Sequence, residues 1–139
     1  MKKFLLFTMI ALFALPGLTQ AQSSSLVANY SKIMSERLAF SLNRNARLYN
    51  SLVNKSTQLE RAGKNISAIS ATLAETKIII DRGQKHLTEF PSKANDLTAS
   101  STAQESFLAI RQLVKEIIGD IRLSYAKIKE IKLLIKKIE

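Results

Sequence analysis

Apolar side chains recur in two interleaved seven-residue rows along residues 103–138. One row is Phe107, Val114, Ile121, Ile128 and Ile135; the other is Ala103, Ile110, Ile117, Ser124, Ile131 and Ile138. These are the a and d positions of a helix that packs along its whole length against other helices, and Ser124 is the one polar residue in either row. A second apolar stripe runs through Val27, Tyr30, Met34, Leu38, Leu42, Tyr49, Leu52 and Leu59, at spacings of three, four or their sums. Leu26, Ile33, Phe40 and Leu48 widen it, which predicts contact with more than one neighbour. A third stripe carries Ile66, Ile69, Leu73, Ile80 and Leu87.

Punctuation divides the stripes into three helices, over about 25–62, 66–89 and 102–138. Gly63 follows the first as a left-handed cap, and Asn65 accepts a hydrogen bond at the start of the second. Phe90-Pro91 ends the second, because the residue before proline is pushed out of helical geometry. The serine- and threonine-rich stretch over about 91–101 then reads as a polar connection. Ser101 or Thr102 caps the third helix, with Glu105 reaching back as the other half of a capping box. The expected fold is all-α: an elongated antiparallel three-helix coiled-coil bundle, with a middle helix shorter than the outer two. Isoleucine in both rows of the third helix favours three or four helices over two.

Ahead of the bundle, Lys2 and Lys3 precede an apolar run from Phe4 to Leu15, followed by Pro16-Gly17 and the small residues Thr19 and Ala21. That order is the signature of a secretory signal peptide over 1–21, with cleavage after Ala21 and a mature bundle over 22–139. The run is too short to span a bilayer, which takes about 20 apolar residues. The expected location is outside the cytoplasm of a bacterium: periplasmic, cell-surface or extracellular. The chain has no cysteine, so apolar burial carries its stability.

Within the stripes, Asn45, Ser56, Thr76 and Ser124 are polar; such residues set register or sit at the edge of the seam. Gly83 lies near the seam, where a missing side chain lets two helices approach; Gly119 falls on the outer face. Chemistry is sparse. His86 sits off the apolar face and reads as solvent-exposed, and zinc sites need several His or Cys ligands. Glu116 and Asp120, flanked by Lys115 and Arg122, read as a solvated surface. The serines lack a base-and-acid set, and no glycine-rich phosphate loop is present. No enzyme activity, metal, cofactor or small-molecule substrate is expected.

Charge alone hints at a partner. The whole chain carries a formal +10. Arg122, Lys129 and Lys136 recur every seventh residue, with Lys127, Lys132 and Lys137 nearby, and this strip could meet an anionic polymer or membrane surface. Cations there also meet the negative end of the helix dipole, and no aromatic is interleaved for base stacking.

Arg47-Leu48, Leu59, the Gly63 to Ala68 turn (Gly-Lys-Asn-Ile-Ser-Ala), Leu73, Lys77 and Ser106-Phe107 together resemble a loose group of exported, uncharacterised bacterial three-helix coiled-coil proteins. That group is common in small-genome candidate phyla. Asn65 stands where aspartate is usual in it. The resemblance implies an architecture and a location, and no activity. The expected function is a non-enzymatic, envelope-associated structural or protein-interaction module. The alternatives are a holdase-like periplasmic chaperone and a nonspecific binder of anionic polymers or membrane surfaces. Its partners would be protein or envelope components, and a homo-oligomer is compatible with the pattern.

Overall fold

The computed structural model describes residues 20–100 and 102–139, with side chains from 25 to 99 and from 102 onward. The expected signal peptide therefore lies outside the described residues, except that Gln20 and Ala21 open the first helix. Three helices make up the described chain: α1 (Gln20–Arg61), α2 (Ser67–Ser100) and α3 (Ala103–Ile138). At 1.5 Å per residue they are about 63, 51 and 54 Å long. The result is an all-helical three-helix bundle.

Two apolar clusters fill it. At one end Val27 and Leu38 of α1 meet Phe90 and Ala94 of α2 and Phe107, Ile110, Val114 and Ile117 of α3. At the other end Leu52 and Leu59 meet Ile69, Leu73, Ile128, Ile131 and Ile135. The start of α1 thus shares a cluster with the end of α2 and the start of α3. Of the two α3 rows, Phe107, Ile110, Val114, Ile117, Ser124, Ile128, Ile131 and Ile135 are buried. Tyr30 closes the first cluster against Phe107, ring centroids 5.2 Å apart and planes tilted by 55°. Burial there pushes the Tyr30 phenol above its ordinary range, with Arg111 opposing the shift.

The first turn forms as its residues dictate. Gly63 takes φ +75°, and the Lys64 N–H donates to the Leu59 carbonyl at 3.0 Å. Asn65 Oδ1 accepts from the Ser67 N–H at 3.0 Å. At the third helix Thr102 is the cap, and both halves of the capping box are in place. The hydrogen bonds from Thr102 hold the Glu105 carboxyl below its ordinary range.

The middle helix corrects the reading of Pro91. α2 does not stop at residue 89 but continues through Pro91 to Ser100, so the expected polar connection over 91–101 is mostly helix. An interior proline costs about 3 kcal/mol, through a lost hydrogen bond and a steric clash. Tertiary burial outweighs it. Phe90 and Ala94 are each only 1% exposed, and Leu97 packs on the same cluster. Burying one large apolar side chain contributes about 1.5–3 kcal/mol. The Ser106 hydroxyl, fully buried, lies 2.8 Å from the Leu97 carbonyl and pins this last stretch of α2 to α3. The middle helix is therefore nearly as long as α3.

Candidate interaction surface

The polar residues inside the bundle come first, because they fix how the helices meet. Asn45 of α1 is fully buried and donates from Nδ2 to the Ile121 carbonyl and to Ser124 Oγ, both at 2.9 Å. Its Oδ1 is buried with no hydrogen-bond partner. Thr76 donates to the Thr72 carbonyl at 2.6 Å, returning a buried hydroxyl to its own helix. Asn45, Ser56, Thr76 and Ser124 are all buried, so they lie inside the seams and not at their edges.

Beside this pair lies a charged cluster that periodicity does not reveal. Asp120 is 4% exposed, so it is not part of a solvated surface with Glu116. Arg82 Nε donates to Asp120 Oδ1 at 2.8 Å, and His86 Nδ1 stands 3.1 Å from Oδ2. His86 is accordingly half-buried and partnered rather than solvent-exposed. Gly83, one residue beyond Arg82, makes the approach possible. A Cβ there would come within 3.2 Å of Asp120 Cβ and 3.3 Å of Leu42 Cδ1. Gly119 has open space around it, as expected of the outer face.

Ion pairing then sets several acids against α2. Glu75 of α2 holds Lys127 at 2.8 Å, and Glu130 holds the same ammonium at 3.1 Å. Asp120 faces Arg82, while Glu116 borders a small cavity with His86, Phe90 and Lys93. Glu36 lies along a groove with Phe90, Pro91 and Asn95. Two acids of α2 pair within their own helix: Asp81 with Lys77, and Glu89 with Lys93. Lys93, the first cause, holds the Glu89 carboxyl below its ordinary range. The flanks of α1 and α3 that face α2 therefore carry these acids.

The α1–α3 flank is different. Tyr125 of α3 lies between two cations, with the Arg44 guanidinium carbon 5.7 Å and Lys129 Nζ 4.8 Å from its ring centroid. Each contact of this kind contributes about 0.5–1 kcal/mol when exposed. They hold two like charges from different helices close together. Farther along, Lys55 reaches Glu139 at 2.7 Å. Arg44 and Lys55 thus mark the edge of α1 that borders α3, and helical spacing puts Arg37, Phe40 and Arg47 on the same edge.

The six predicted contact residues divide accordingly. Arg122, Lys129, Lys132 and Lys136 are exposed on the side of α3 toward or outside this edge, and none forms a salt bridge among the described residues. Lys127 leaves the strip. It turns toward α2, and the carboxylates of Glu75 and then Glu130 raise its ammonium above the ordinary lysine range. Lys137 is exposed but points farther round α3. Sequence reasoning missed the α1 arginines, because a one-helix heptad cannot report a neighbouring helix. It also missed Tyr125, the aromatic set between Arg122 and Lys129.

The widened stripe on α1 holds only in part: Leu48 packs half-buried on the second cluster and Leu26 is half-buried, whereas Ile33 is 48% and Phe40 71% exposed. On α3, Leu133 is 62% exposed, four residues after Lys129 and three before Lys136. Among the described residues no helix is long and apolar enough to cross a membrane. No group of three or more His, Cys, Asp or Glu among them is placed to hold a metal ion. No family model, curated protein or solved structure matches the chain.

Proposed function

We propose that the chain is a non-enzymatic, exported helical-bundle protein that serves the cell envelope as a structural or interaction module. One observation carries this reading. The three helices spend their aliphatic seams on one another, in two clusters drawn from all three. A rod closed in this way holds a fixed surface rather than a reaction centre. Its helices pack as an antiparallel coiled coil, α2 running against the other two. The Lys2-Lys3 and Phe4–Leu15 pattern supports export.

Two measurements test it. A fusion of residues 1–21 to a reporter active only outside the cytoplasm is expected to be active in a bacterial host; an inactive, cell-retained fusion contradicts export. The bundle, with its seams closed, is expected to leave the aggregation of a model client unchanged. Suppression at stoichiometric amounts would instead establish the holdase.

A further inference from the structure

We propose that the α1–α3 flank is a docking surface for an anionic lipid bilayer, on which the rod lies lengthwise. The proposal rests on the reading of the bundle as an envelope interaction module, and names the partner of its surface. Two properties coincide on this flank. The first is an excess of positive charge: Arg44, Arg122, Lys129 and Lys136 form no salt bridge among the described residues, Glu116, Asp120 and Glu130 of α3 lie toward α2 or against Lys127, and Glu139 at the far end of the flank is paired with Lys55. The second is exposed apolar bulk among those cations. Phe40 stands one turn before Arg44, and Leu133 stands between Lys129 and Lys136 on a single helical ridge.

The combination selects the partner. A water-borne polyanion gains from the cations but nothing from Phe40 or Leu133, which would stay in water beside it. A bilayer gains from both: lipid phosphates meet the cations, and apolar side chains enter the boundary between head groups and acyl chains. Tyr125 already carries a cation on each of two contacts, so its ring serves to gather charge rather than to stack a base. With no spanning helix among the described residues, the contact is peripheral and weakens with salt.

Residues 22–139 suffice for the test, because the described core lies wholly between Val27 and Ile135; circular dichroism checks that each variant stays helical. Co-sedimentation is measured with phosphatidylcholine vesicles, with and without phosphatidylglycerol, and retention is measured on immobilised heparin. The chain is expected to pellet with the phosphatidylglycerol vesicles at low salt and to stay in solution with phosphatidylcholine alone. Arg122→Glu with Lys129→Glu is expected to weaken that binding roughly tenfold or more. Lys77→Glu with Lys85→Glu changes net charge equally on α2 and is expected to weaken it far less. Phe40→Ser is expected to weaken vesicle binding severalfold while leaving heparin retention unchanged.

Equal losses from the two double variants would overturn the proposal, since net charge alone would then explain binding. Strong heparin retention together with vesicle binding indifferent to Phe40→Ser would overturn it in favour of a soluble polyanion. A folded chain that ignores phosphatidylglycerol vesicles would also overturn it. That last result leaves the interaction-module reading standing, because that reading fails separately, by client-aggregation suppression.

Discussion

Gly83 and Asp120 meet so closely that a methyl group on the first would lie 3.2 Å from the Cβ of the second. Asp120 cannot easily retreat, because Arg82 and His86 grip its two carboxylate oxygens. Glycine inside a helix costs about 1 kcal/mol relative to alanine, so Gly83→Ala gains that much intrinsically. Overpacking a tight contact costs about 1–3 kcal/mol. The clash wins, and Gly83→Ala is expected to destabilise the fold by about 1 kcal/mol in chemical denaturation. Gly119→Ala, with open space around it, is expected to stabilise by about 0.5–1 kcal/mol.

Asp120 and Glu116 look alike in sequence and differ in place. Removing the buried carboxylate strands Arg82 and His86, though Arg82 is half in water and recovers part of the loss. Asp120→Ala is therefore expected to cost about 2 kcal/mol, within the range for hydrogen bonds to charged groups. Glu116→Ala is expected to stay within about 0.5 kcal/mol of the parent. Equal effects in urea titrations would place Asp120 on the surface.

Asn45 and Ser124 give the core its polar cross-link between α1 and α3. A polar pair in an aliphatic seam trades stability for register. Asn45→Leu with Ser124→Ala also removes the buried orphan Asn45 Oδ1, so the double variant is expected to melt higher than the parent. Its amide NMR spectrum is expected to broaden as the helices lose their unique register. A lower melting temperature with a sharp spectrum would contradict this.

The capping box makes the start of α3 sensitive to acid. Thr102 lowers the Glu105 pKa in the folded state, so the ionised carboxylate favours folding. That contribution is present above the unfolded carboxyl range and is lost as pH falls through the lowered folded value. The protection factors of the amides in the first turn of α3, taken relative to intrinsic exchange at each pH, are expected to fall on acidification, and less so in Thr102→Ala, which has no cap left to lose. At neutral pH Thr102→Ala is expected to cost about 1 kcal/mol.

Much of this architecture is legible in the stripes, because seam positions, glycine turns and a capping box are local signals. The buried rows of α3, the Gly63 turn and the Thr102 cap follow from residues a few places apart. What escapes is tertiary. Pro91 is a stop signal by itself, and only the burial of Phe90 and Ala94 on α1 and α3 carries α2 past it. Asp120 and Arg82 are 38 residues apart in sequence, so nothing local announces their pairing. Gly83 near the seam is the one clue to that close approach. The cationic strip is visible on α3, but its other half lies on α1 and appears only when Arg44 and Tyr125 are brought together.

Zero-length carbodiimide coupling, followed by peptide mass spectrometry, tests most directly whether one chain closes this bundle and sets α1 beside α3. The ion pair of Lys55 with Glu139 and that of Lys127 with Glu75 are the reporters, at 2.7 and 2.8 Å. Both links are expected within the monomeric fraction of residues 22–139. Finding them only in covalent dimers, or finding Lys55 joined instead to acids of α2, would contradict the account.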